Sequence, residues 1–147
     1  MTFKERFSAD MKDAMRAHDE VRLSTLRLLT SAIKYKEIED RKPMDDEGVL
    51  SVLTTAAKQR RESIEQYEKA GRVDLADKEK IELSVLLGYM PAQLSRDELR
   101  AAVAEAMAES GADGPKDMGK VMKALMPKVK GKADGKLVNE VVKELLG

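Results

Sequence analysis

Three features of this chain predict an all-helical fold. Aromatic residues are only 3% of its 147 residues, and the β-branched runs that strands require are absent. Leucine, valine, alanine and methionine recur at spacings of three and four, which places them on single faces of helices. Charged residues reach 37%, but 42% of the chain is apolar and periodic, enough to bury a core.

The elements follow in order. Thr2-x-x-Glu5 has the form of a capping box, in which side chain and backbone satisfy each other's hydrogen bonds, and opens a helix to about His18. A second helix is expected from Glu20 to Asp40, burying Leu23, Leu26, Leu29 and Ile33, and Pro43 stops it. Asp45 and Asp46 suit the positive end of a third helix, Asp46 to Ala70, whose Val49, Leu50, Leu53, Ala56, Ala57, Ile64 and Tyr67 share a side. Gly71 ends it. The fourth, Asp74 to Gly88, carries Leu75, Leu83, Leu86 and Leu87. Short connections between four amphipathic helices predict an antiparallel bundle over residues 1–92.

Residues 93–147 are expected to form a small three-helix module. Ser95-x-x-Glu98 is a second capping box and opens an alanine-rich helix to Ser110. Gly111 to Pro115 reads as a loop. Two short helices, Asp117–Met126 and Asp134–Leu146, are expected beyond it, split by Pro127 and the Gly131–Gly135 stretch.

Charge is unevenly spread. Residues 1–42 hold ten basic and eight acidic side chains (+2), residues 43–114 nine and fifteen (−6), and residues 115–147 eight and four (+4), which sum to zero. The basic end suggests a polyanion-binding surface. Its candidate contacts are Lys120, Lys123, Lys128, Lys130, Lys132 and Lys136. The first two share a helix face, and the others lie in or beside a glycine-containing turn that could bring backbone N–H groups to phosphates. Charge alone does not separate tRNA from DNA or acidic lipid.

Other chemistry is sparse. Without cysteine there is no disulfide, thiolate metal site or cysteine nucleophile. His18 is the single histidine and reads as part of a helix junction, and no phosphate-cradling glycine loop of the P-loop type occurs. Glu79 and Glu82, three apart on one helix, read as a solvated face, and Lys58-Gln59-Arg60-Arg61 as a solvated basic turn with some pairing. No catalytic residue, metal or cofactor is expected. The N-terminus lacks the apolar stretch of a signal peptide and no segment is long enough to span a membrane, so a cytoplasmic protein is expected.

Several motifs carry a resemblance. Asp117-Met118-Gly119-Lys120-Val121-Met122 with Gly131-Lys132-Ala133-Asp134-Gly135 resembles the tail shared by YqeY-like proteins and the GatB component of tRNA-dependent amidotransferases. Leu26-Arg27-Leu28-Leu29, Lys58-Gln59-Arg60-Arg61-Glu62-Ser63-Ile64, Ala70-Gly71-Arg72-x-Asp74-Leu75 and Tyr89-Met90-Pro91 look like the YqeY pattern too. The resemblance implies an all-α fold and a tail that holds tRNA, with an aminoacyl-tRNA synthetase or amidotransferase subunits as possible protein partners. It covers only the accessory part of the amidotransferase, so the expected function is tRNA binding without stand-alone catalysis. The alternatives are a protein-interaction adaptor and a carbon–nitrogen ligase using glutamine as amido-N-donor.

Overall fold

The computed structural model describes all residues, 1–147, and is entirely helical: α1 (Phe3–Arg16), α2 (Glu20–Asp40), α3 (Asp46–Lys69), α4 (Val73–Leu87), α5 (Arg96–Ser110), α6 (Met118–Val129) and α7 (Gly135–Leu146), with a 3-10 turn at Pro115–Asp117. The chain forms two compact units, Met1–Met90 and Pro91–Gly147. No helix is long and apolar enough to cross a membrane.

Local chemistry sets the helix ends of the N-terminal unit. Thr2 and Glu5 form the capping box of α1, and Asp19 and Asp45 cap α2 and α3 by accepting from the N–H groups of Arg22 and Gly48. His18 and Arg41 turn the chain with positive φ, both 56°. Helix α2 therefore ends in a left-handed residue at Arg41, two positions before the proline expected to stop it. Lys42 N–H returns to the Glu37 carbonyl there. Glu37 then ties this turn to α1, accepting from Lys4 Nζ (2.6 Å) and Met44 N–H (2.8 Å). Its two donors, Lys4 first, hold its carboxyl below the usual carboxylate range.

The core of this unit gathers Phe7, Leu26, Leu29, Ile33, Val49, Leu53, Leu86 and Tyr89. Helices α3 and α4 pack as a hairpin, and here one expectation fails. Glu79 and Glu82 do not form a solvated face: with Leu75 and Leu86 they lie on one line of α4 at spacings of four, three and four, and Glu82 is buried. Arg60 of α3 meets them, its Nε 3.1 Å from Glu82 Oε2 and 3.4 Å from Glu79 Oε2. The Lys58–Arg61 cluster is accordingly not wholly solvated. The arginine that makes the burial tolerable stands on the preceding helix, so spacing within α4 alone could not reveal it.

In the C-terminal unit α5 is the central element, with α6 and α7 packed on it. Leu99, Val103, Ala106, Val121, Leu125, Val129, Val138, Val141, Val142 and Leu146 form its core, without an aromatic ring or a buried polar side chain. Ser95 and Glu98 form the capping box of α5, and Gly111 ends it at φ 69°. Pro127 does not split the basic segment. It lies inside α6, where the missing N–H removes one bond of the last turn, and Lys130 N–H still reaches the Met126 carbonyl.

Candidate functional site

On α6 the buried residues Val121, Leu125 and Val129 recur every fourth position, which turns the opposite side of the helix outward. Lys120 and Lys123 occupy that outer side, with Lys116 ahead of them in the 3-10 turn and Lys130 at the C-terminal end, all exposed. Lys132 stands exposed in the loop to α7 and Lys136 in the first turn of that helix. Lys123 and Lys132 enter no ion pair. Lys120 lies 3.7 Å from Asp117, which also accepts from the Asp113 N–H at 3.2 Å. That N–H, before the two neighbouring lysines, holds the Asp117 carboxyl below its usual range.

Lys128 stands apart from the other candidates. Its Nζ is 2.7 Å from Glu109 Oε1 and 3.1 Å from Glu105 Oε1, both on α5. The Glu109 hydrogen bond holds its ammonium above the ordinary value. The structure thus places Lys128 in a strut between α6 and α5 rather than on the outer face.

Counting the whole unit changes the electrostatic picture. Residues 91–147 hold ten basic and nine acidic side chains, net +1, because α5 adds two arginines and the segment to Gly114 five carboxylates. Most of the unit's carboxylates are engaged inside it. Glu105 and Glu109 hold Lys128, Glu140 faces Arg96, and Glu144 faces Arg96 and Arg100. Asp97 pairs with Arg100, and Glu98 caps its own helix. These six acids lie along the α5 seams, while Lys120, Lys123, Lys130, Lys132 and Lys136 are exposed on or beside α6 with Asp117 next to Lys120, so a nearly neutral unit presents a mainly basic face.

The glycine-containing turn has a structural role of its own. Gly131 takes φ 75°, which an L side chain adopts only under strain. Its carbonyl accepts from Gln93 Nε2 at 2.9 Å, and the Lys132 carbonyl accepts from Leu94 N–H at 2.8 Å. Lys132 N–H is committed to the Val129 carbonyl at 2.8 Å. The turn locks the α6–α7 loop to the segment before α5 and leaves the Lys132 side chain exposed. Gly119 is the other case: a Cβ there would meet nothing within 4 Å. Glycine is a poorer helix former than alanine, and packing does not require it here.

The sequence reading missed two polar clusters in the N-terminal unit. One is Arg60 with Glu79 and Glu82. The other joins Arg6, Asp10, Arg22 and Tyr89, in which the Tyr89 hydroxyl donates to Asp10 Oδ2 at 2.5 Å. The available signal was Tyr89-Met90-Pro91, but its partner lies 79 residues away.

Comparison with known proteins places this architecture. Residues 4–146 match the family described as Yqey-like protein. Among relatives, the protein named "Altered inheritance of mitochondria protein 41, mitochondrial" is 41% identical over 95 residues in Eremothecium gossypii, covering 63% of this chain and 52% of that protein. The protein of the same name in Kluyveromyces lactis is 37% identical over 99 residues, covering 65% and 54%. The chain spans about half the length of these curated relatives. Their names place them in mitochondria, which overturns the cytoplasmic location expected from the sequence: the N-terminal composition of this chain carries no information about where its relatives reside. The match over nearly its entire length shows that this chain belongs to the YqeY-like family.

Proposed function

We propose that this protein is a tRNA-binding accessory factor whose contact surface is the outer face of α6 and the loop beyond it. One observation carries the reading: acids of the C-terminal unit are engaged along the α5 seams, while Lys120, Lys123, Lys130, Lys132 and Lys136 remain exposed on or beside α6. Such a face meets phosphates without reading bases, positioning an RNA rather than selecting its sequence. The exposed Gly119 supports it, since a missing side chain lets a ligand approach the helix backbone. With about five phosphate contacts, log affinity should fall against log salt with a slope near −4. Filter binding of tRNA over a salt series tests this. Salt-independent binding, or full affinity after Lys→Glu changes at positions 120, 123, 132 and 136, would end the proposal.

A second reading, a protein-interaction adaptor for a synthetase or amidotransferase assembly, rests on α2. Leu28, Tyr35 and Ile38 are 57%, 78% and 75% exposed there, large apolar groups without a neighbour to cover them. Pull-down of a purified synthetase or amidotransferase after nuclease treatment, weakened by Leu28→Asp with Tyr35→Asp, would support it. Unchanged capture by that variant would remove it.

A further inference from the structure

We propose that the N-terminal unit carries a second anion site, a pocket for a terminal phosphate group held by Arg6 of α1 and Arg22 of α2. The pocket is an open cleft of about 400 Å³ at the C-terminal end of α4, with Asp10, Ser84 and Tyr89 also on its walls. It is separate from the lysine face of the other unit and does not depend on that face binding RNA.

Arg6 is the central observation. Its guanidinium carbon lies 4.9 Å from the centre of the Tyr89 ring and 5.6 Å from that of Phe3. Tyr89 is itself fixed, 7% exposed and set edge-on to the buried Phe7 at 4.8 Å. The cation is therefore held by ring faces, which engage the flat of a guanidinium and leave its N–H edge available. No carboxylate pairs with Arg6. An arginine kept only as a structural ion-pair partner would have one.

The rest of the cluster leaves a positive balance. Asp10 is the only acid on the pocket wall, and it is occupied twice: Tyr89 donates to its Oδ2 at 2.5 Å, and Arg22 lies 3.6 Å from the same oxygen. Burial first, then the Asp10 carboxylate, push the Tyr89 hydroxyl up to about 12, so it stays protonated and keeps Asp10 in place. Two guanidinium groups against one engaged carboxylate leave a local charge of +1. Because the arginines come from separate helices, a tetrahedral phosphate can offer oxygens to both, whereas a single arginine fork saturates a planar carboxylate. The volume corresponds to on the order of ten waters of liquid, room for the phosphate and the sugar-sized group that bears it.

Thermal melts of the full chain test this, with inorganic phosphate, a nucleoside 5′-monophosphate, and a short RNA with and without a 5′-phosphate, each against chloride at matched ionic strength. The wild type should be stabilised by at least one phosphate-bearing probe. Arg6→Gln and Arg22→Gln should each weaken that response about tenfold, the loss for one charge-assisted hydrogen-bonded group. Arg6→Lys should recover only part of it, and Lys143→Gln, at a lysine in the last turn of α7 outside both proposed sites, should leave it unchanged. A response confined to the phosphorylated RNA assigns the group to a nucleic-acid end, and a response to the small probes assigns it to a free metabolite. If an arginine variant does not fold, amide and ring shifts in the wild type on adding inorganic phosphate replace it, expected at Arg6, Arg22 and Tyr89. No stabilisation by any probe, equal stabilisation of the glutamine variants, or shifts confined to other residues would overturn the proposal.

Discussion

In the N-terminal unit an arginine and two glutamates lie within the α3–α4 seam, whereas in the C-terminal unit the layer between α5, α6 and α7 is aliphatic and its ion pairs stand at the margin. The same residue types thus do different work. A charged group inside a seam has a few acceptable partners and penalises a slipped pairing, which makes it a device for fixing register. A charge at the margin is solvated whether or not it is paired and adds little to stability. It is also free to be used on something else. The contrast explains how a unit with net charge of only +1 keeps a basic face: its core needs no polar group, and six of its nine acids are engaged along α5.

The largest effect that would test this contrast is Leu125→Ala. Leu125 is fully buried in the aliphatic layer, so truncation should cost about 4 kcal/mol. Hydrogen exchange should speed up among the amides of α5, α6 and α7 and leave those of α1 to α4 unchanged. A loss spread evenly over both units would mean that the division into two compact units has no energetic counterpart.

Next is Arg60→Met, which strands two carboxylates in the α3–α4 seam. The expected loss in urea unfolding is about 3 kcal/mol, the low end for a broken buried pair because the arginine keeps some exposure. The triple change Arg60→Met, Glu79→Leu, Glu82→Met should recover most of it. Such recovery with native-like spectra and a raised tendency to mispair would locate the value of the cluster in register rather than in stability.

How much of this was legible in the sequence depended on the range of the interaction. The Thr2–Glu5 and Ser95–Glu98 capping boxes span three residues and could be read directly. Arg60 with Glu79 and Glu82, Lys128 with Glu105 and Glu109, and Tyr89 with Asp10 could not, since each joins residues from different parts of the chain. Pro127 misled for a related reason: proline breaks a helix interior, but one turn from the end the bond it removes is not missed. Charge in the basic segment was likewise visible, but which lysines face outward was set by α5, whose acids claim Lys128.

A smaller effect is expected from Glu79→Gln, and its pH dependence carries the information. Neither Arg60 Nε nor Glu79 Oε2 completes a hydrogen bond, so their attraction is incomplete. Burial first, and then Glu82, raise the Glu79 carboxyl above the ordinary 4.5. A raised carboxyl binds its proton more tightly in the folded state, so stability grows as pH falls from the raised value towards the ordinary one. At neutral pH the glutamine variant should melt above the wild type. Below pH 4.5 the advantage should vanish, because glutamate is then protonated in both folded and unfolded chains. An advantage that persists in acid would assign the gain to something other than charge.

The smallest effects divide the lysines themselves. Lys128→Gln removes the strut to Glu105 and Glu109, and because that pair is partly solvated the melting temperature should fall only slightly. Its effect on tRNA affinity should be slight, with the salt slope unchanged. Lys123→Gln should do the reverse, leaving the melting temperature in place while the slope of log affinity against log salt becomes shallower by about 0.9. Measuring both variants by melting and by filter binding over one salt series gives four numbers that must fall in a crossed pattern. If Lys128→Gln alters the slope as much as Lys123→Gln does, then the strut opens when RNA arrives, and the acids of α5 are a competitor for Lys128 rather than its settled partner.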